Sequence, residues 1–187
     1  MIGLIFDKDS FKILSLFSAS SEPGFNRSQI KEKTVMNNVP LDNALAKLVM
    51  SKLLTKENNV YRINTENKNT RRILKVVSKQ HKDLNNLPLN IYFSLIDLVD
   101  YLASMKKIDV YLFGFYAGSD KGENSNIDIA LLAPKKTTLK YLSKITGKVE
   151  KNYGKTIKIH DFIKDDFYKN KSDPVIKEIL QNGIRLM

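Results

Sequence analysis

Residues 108–133 constrain the fold of this chain more than any other stretch. They read Ile108-Asp-Val-Tyr-Leu-Phe-Gly-Phe-Tyr-Ala-Gly-Ser-Asp-Lys-Gly-Glu-Asn-Ser-Asn-Ile-Asp-Ile-Ala-Leu-Leu-Ala133. An apolar run from Val110 to Phe113 predicts a strand, and a second run from Ile127 to Leu132 predicts another. Between them Gly114, Gly118 and Gly122 mark a tight turn or short helix, where the backbone bends sharply or approaches a neighbour closely. The turn is not a Walker A loop, because no Gly-Lys-Ser/Thr follows Gly114 at the required distance. A dinucleotide fingerprint would need Gly-x-Gly-x-x-Gly opening a long helix, which is also absent.

The chain before this stretch is built differently. Residues 1–6 are an apolar run, readable as an edge strand or a lead-in. Asp7 or Asp9 can cap a helix over 10–18 with Phe11, Leu14 and Phe17 on one face. Residues 19–25 read as a loop, and Asn26 caps a short helix over 27–34 that carries Ile30. A turn at 36–40 leads into a helix over 41–52, with Leu41, Leu45, Leu48 and Val49 inward and Pro40 in its first turn. Two short strands, 53–56 and 60–63, flank Glu57-Asn58-Asn59, and paired asparagines favour a hairpin tip. This order of elements resembles a winged helix-turn-helix domain, which implies contact with double-stranded DNA. On that resemblance the DNA-facing residues are Arg27, Ser28, Asn43 and Lys47 on the two helices, Asn38 in the turn between them, and Lys56, Asn59 and Arg62 on the wing.

A polar Asn-rich segment follows, then a helix over 71–84 with Ile73, Val76, Val77 and Leu84 on its apolar side. Residues 85–88 interrupt it. A helix over 90–105 spaces Ile91, Leu95, Leu98, Leu102 and Met105 for burial. Beyond residue 133 the pattern predicts a helix over 138–152 with Leu139, Leu142, Ile145 and Val149 inward. A strand follows at 157–162, then a polar loop at 165–172. A last helix runs from Pro174 to Gln181, and residues 184–187 form a short apolar tail. The expected architecture is α+β with two domains. Residues 1–66 form the DNA-binding domain, 67–88 a linker helix, and 89–187 an α/β unit with a small mixed sheet.

The C-terminal half resembles a minimal nucleotidyltransferase of the DNA polymerase β superfamily, whose signature is Gly-Ser, a spacer, then Asp-x-Asp on a strand. That resemblance implies Mg²⁺ held by two carboxylates at i and i+2, which a strand points to the same side. A third carboxylate on a neighbouring strand completes the family's site, and a serine after the first glycine holds phosphate oxygens. Here Phe115 stands at the serine position after Gly114, and Asn126-Ile127-Asp128 replaces Asp-x-Asp. Lys158 falls at the third carboxylate; Asp161 reaches it only if the register shifts by an odd number. Three of four functional positions have lost their chemistry, so no catalytic residue is assigned and no metal or other cofactor is expected. Metal-free phosphate binding would fall to the backbone at Gly114 and Gly118 with Lys121.

Composition narrows the remaining choices. The chain has 187 residues and a net charge of +11, which favours polyanionic partners. Residues 135–187 hold 13 Lys and Arg against 6 Asp and Glu, a net of +7. Cysteine is absent and only His81 and His160 are present, which excludes disulfides, cysteine nucleophiles and histidine-rich zinc sites. No apolar run reaches membrane-spanning length, so a cytoplasmic protein without a membrane partner is expected. The expected function is a DNA-binding transcriptional regulator, of a kind resembling regulators found mainly in archaea. Its second domain would mediate homodimerisation or sense a nucleotide or protein partner. Two alternatives stand beside it: an active, Mg²⁺-dependent nucleotidyltransferase of antitoxin type that modifies a partner protein, and a non-catalytic protein or RNA interaction module.

Overall fold

The structure is a computed structural model that describes residues 7–84, 86–118 and 125–187. The apolar run at 1–6 and the turn residues Lys121 and Gly122 lie outside the described residues. The chain divides into two compact units, with the boundary between Phe93 and Ser94.

In the N-terminal unit, α1 (Lys8–Ala19) starts at Asp7, whose carboxylate accepts from the Ser10 backbone N–H at 3.0 Å and the Ser10 hydroxyl at 2.9 Å. Phe11, Ile13, Leu14, Leu16 and Phe17 are buried along it. Strand β1 (Phe25–Asn26) lies in what reads as loop, because Asn26 also caps α2 (Arg27–Thr34) through a reciprocal capping box with Gln29. Helix α3 (Asn38–Met50) starts three residues before the expected position and buries Leu41, Ala44, Leu45 and Leu48. Strands β2 (Leu54–Glu57) and β3 (Val60–Ile63) form the hairpin. Its tip residues Asn58 and Asn59 sit at φ 48° and 62°, the left-handed region that asparagine tolerates. The sheet order is β1-β3-β2, all antiparallel.

Helix α4 (Lys68–Gln80) belongs to this unit and packs on α1, where the sequence pattern suggests a linker. It buries Thr70 and Val77, while Val76, expected inward, is 43% exposed. Helix α5 (Leu89–Leu102) begins here and crosses into the second unit.

The C-terminal unit is a four-stranded mixed sheet of order β6-β5-β4-β7. Strands β4 (Asp109–Phe113) and β5 (Ile127–Ala133) are antiparallel. Helix α6 (Leu139–Tyr153) then carries the chain to β6 (Ile157–Ile163), parallel to β5. Leu139, expected inward, is 81% exposed, because the helix starts at that residue and its buried stripe begins at Leu142. The polar segment expected as a loop contains α7 (Lys164–Lys169), which sends Phe167 into the core. Helix α8 (Pro174–Asn182) is capped by Asp173 and followed by β7 (Ile184–Arg185), which pairs with β4. Phe113, Ala130 and Leu132 from the sheet cluster with Phe167, Ile176 and Ile179 from α7 and α8. No helix among the described residues is long and apolar enough to cross a membrane.

Candidate functional site

The end of β4 and the start of β5 bring the glycine turn against Asp128. Phe113 pairs with Asp128 across the antiparallel ladder, and the next residue, Gly114, turns the chain at φ +67°. A Cβ at Gly114 would stand 3.1 Å from Asp128 Oδ2. Both the dihedral and this approach favour glycine. The Gly114 carbonyl then accepts from the N–H groups of Ala117 and Gly118, each at 3.1 Å, closing a short 3₁₀ turn. Phe115 lies in that turn with its ring edge-on to Tyr116. Burial pushes the Tyr116 phenol up, so it stays protonated.

The parallel β5–β6 ladder decides which groups share a face with Asp128. Lys158 is its register partner and Ala130 pairs with His160. The strand period of two therefore places Lys158 and His160 on the side of Asp128. His160 Nε2 lies 3.5 Å from Asp128 Oδ1, and the imidazole packs edge-on to Phe113 at 5.0 Å. Asp161 pairs with Leu131, on the opposite face; its Oδ2 accepts from the Thr137 N–H at 2.8 Å. Among the described residues the site thus holds one carboxylate, a lysine and a histidine, with Asn126 just before the strand.

These donors do not suit a divalent metal. Mg²⁺ favours several oxygen ligands of negative charge, and a neighbouring ammonium opposes a dication. Among the described residues no group of three or more His, Asp or Glu is arranged to hold a metal ion. His160 was legible only through the register: it stands two residues after Lys158 and therefore on the same face.

The residues expected to face DNA lie in the N-terminal unit, and several converge on Asp42. Arg27 donates to both its oxygens, at 2.6 and 2.9 Å, and to Asn38 Oδ1 at 3.3 Å. The hydrogen bond from Arg27 holds the exposed Asp42 carboxyl below its usual value, opposed by slight desolvation and helped by the charges of Arg27 and Lys56. Lys56 stacks over the Tyr61 ring at 5.4 Å. The start of α2, the first turns of α3 and the hairpin therefore meet on one surface. Ser28 and Asn43 are exposed. Lys47 pairs with Asp7 at 3.7 Å and Arg62 with Glu57 at 3.9 Å. Asn59 sits at the hairpin tip.

Residues 96–187 match the family described as Polymerase beta, Nucleotidyltransferase, so the C-terminal unit is a nucleotidyltransferase-like domain. No curated protein matches the chain. Among solved structures, the chain is similar to two mutant forms of the toxin–antitoxin MntA-HpeT. One shares 20% identity over 50% of this chain and 72% of that one, with TM-score 0.39. The other shares 21% identity over 48% and 68%, with TM-score 0.37.

Proposed function

We propose that the protein is a DNA-binding transcriptional regulator in which the nucleotidyltransferase-like domain is retained without catalysis. The N-terminal unit acts as a winged helix on double-stranded DNA. The C-terminal domain serves dimerisation or the sensing of a ligand or partner. The observation that carries this reading is the company of Asp128: Lys158 and His160 share its face where phosphoryl-transfer chemistry demands further carboxylates. In support of the DNA-binding half, Arg27, Asn38 and Lys56 gather on one exposed surface beside the exposed side of α3. A homodimer would present two such surfaces to a two-fold operator and double the phosphates contacted.

A salt series of gel shifts against genomic fragments, including the gene's own upstream region, tests the regulator. Salt-sensitive retardation of at least one fragment is expected, and its absence from all of them would sink the proposal. The runner-up is a residual nucleotidyltransferase acting on a partner protein, favoured by the preserved fit of Gly114 against Asp128. Incubation with labelled ATP, Mg²⁺ and candidate partners distinguishes it. Label transfer abolished by Asp128→Ala would replace the non-catalytic reading.

A further inference from the structure

The cations expected to read DNA are mostly engaged by acids of their own unit. Arg27 is held by Asp42, Lys47 by Asp7 and Arg62 by Glu57. A phosphate approaching any of them must compete with a carboxylate already in place. Helix α4 presents the opposite situation. Residues 67–82 contain Lys68, Arg71, Arg72, Lys75, Lys79 and Lys82, and no Asp or Glu. All six side chains are exposed, and none makes an ion pair among the described residues.

Their spacing sets them in a row. At about 100° per residue, Lys68, Arg71, Arg72, Lys75 and Lys79 fall within an arc of roughly 100° on one side of the helix, and Lys82 follows just beyond its end. Thr70 and Val77, on the other side, are buried. Lys68 to Lys79 spans about 17 Å at ~1.5 Å per residue, with at least one cation on every turn. Duplex DNA carries about one phosphate charge per 1.7 Å of axis, so a strip of this length faces a dense row of complementary charge. Two shallow depressions run along it. One, of about 570 Å³, is lined by Thr65, Glu66, Lys68, Arg71 and Arg72. The other, of about 360 Å³, is lined by Lys75, Val76, Lys79 and Gln80. Glu66 is the one acid bordering them.

The strip is also fixed in place. The Asn67 carboxamide accepts from the Asn69 N–H at 3.0 Å and donates to the Lys52 carbonyl at 3.0 Å. Asn64 donates to the same carbonyl at 2.9 Å. These bonds tie the first turn of α4 to the entry of the hairpin, and the contact with α1 holds the rest. A preset row of cations loses less freedom on binding than a flexible basic tail.

We propose that the outer face of α4 is a second DNA-contact surface, a phosphate-binding strip that supplies most of the non-specific affinity. This rests on the DNA-binding reading above. In this division of labour α3 and the hairpin contact base edges, and α4 holds the duplex backbone.

Fluorescence anisotropy of the full chain with a short labelled DNA duplex of mixed sequence tests it across a salt series. The quadruple variant Arg71→Gln, Arg72→Gln, Lys75→Gln, Lys79→Gln should lower the slope of log affinity against log salt by about 3 to 4 units. Over a fourfold rise in salt the wild type should then lose roughly a hundredfold more affinity than the variant. The pair Lys75→Gln, Lys79→Gln should lower the slope by about 2 and serves where the quadruple variant melts early. Lys56→Gln with Arg62→Gln reports on the hairpin. If the wild type binds and only the hairpin variant weakens it, the strip is overturned and the winged-helix reading stands. If the wild type binds no duplex at any salt, both fall. Tighter binding of the strip to single-stranded RNA or an acidic protein than to the duplex, removed by the same glutamines, also overturns the assignment to DNA.

Discussion

Asp109 and His81 are buried alike, at 4% and 7% exposure, and the two units keep them by opposite means. Asp109, opening β4, faces two cations: Arg185 Nη2 donates to its Oδ1 at 2.5 Å, and Lys164 Nζ contacts Oδ2. His81, following α4, meets a phenol and aromatic edges instead. Its Nδ1 lies 2.5 Å from Tyr92 Oη, and its ring packs against Phe11 and Tyr92. Burial pushes its pKa down to about 4, so it remains neutral at pH 7. A buried ionisable group survives either with counter-charges or by giving up its charge. Asp128 stands between these cases, with a side chain 26% exposed and His160 beside it. Among the described residues it has too few partners for a structural ion pair like that of Asp109, and too few fellow carboxylates for a metal site.

Removing Asp109 gives the largest expected effect of a single substitution at neutral pH. Asp109→Ala takes away the buried partner shared by Arg185 and Lys164, whose side chains are 58% and 36% exposed. The cost therefore falls between that of a surface pair and a fully buried one, about 2 kcal/mol in stability by urea unfolding. A cost below about 1 kcal/mol would show that the two cations hold Asp109 no more firmly than solvent would.

His81 sharpens the contrast through pH. Its folded pKa of about 4 lies below the unfolded value of 6.5. Between these two values the unfolded chain takes a proton that the folded one refuses. Its contribution is therefore full above pH 6.5 and is lost as pH falls from about 6.5 to about 4, by up to ~3 kcal/mol. His81→Gln should flatten that part of the stability–pH curve. A wild-type curve already flat between pH 6.5 and 4 would mean that His81 is charged in the fold.

Gly114 tests the intermediate case. In Gly114→Ala the left-handed dihedral and the 3.1 Å approach to Asp128 Oδ2 together should cost about 1 to 2 kcal/mol. An unchanged melting temperature would show that the turn relaxes away from Asp128.

The elements whose chemistry is local were legible in the chain. The strands around residues 110 and 127, the Asn58-Asn59 tip and the helix cap at Asn26 each rest on residues a few positions apart. What escaped depends on distant partners. Residues 165–172 read as a polar loop because only Phe167 there is buried, and the cluster it enters is built from β4, β5 and α8. The Asp109–Arg185 pair spans 76 residues, so no local pattern signals it. The same holds for Arg27 with Asp42, which shows that a basic residue on an expected DNA-facing helix is not thereby free to meet phosphate. At the site, the identities of Phe115, Asn126 and Lys158 were readable by position, whereas the approach of His160 to Asp128 required the observed parallel register.

Rebuilding the site gives the smallest expected effect and asks whether partners alone separate Asp128 from a metal centre. The Asp128 register places residue 158 opposite it and residue 126 two positions before it. Asn126→Asp with Lys158→Asp restores three carboxylates and removes the ammonium. The double variant should gain thermal stability on adding Mg²⁺, by about 1.4 kcal/mol at ten times its dissociation constant. The wild type should show no shift, because one carboxylate beside a lysine does not neutralise a dication. A Mg²⁺-dependent shift of equal size in the wild type would place Asp128 with the metal-binding carboxylates. A shift in neither protein would mean that the backbone around Gly114, as well as the lost acids, has moved away from the geometry that a metal requires.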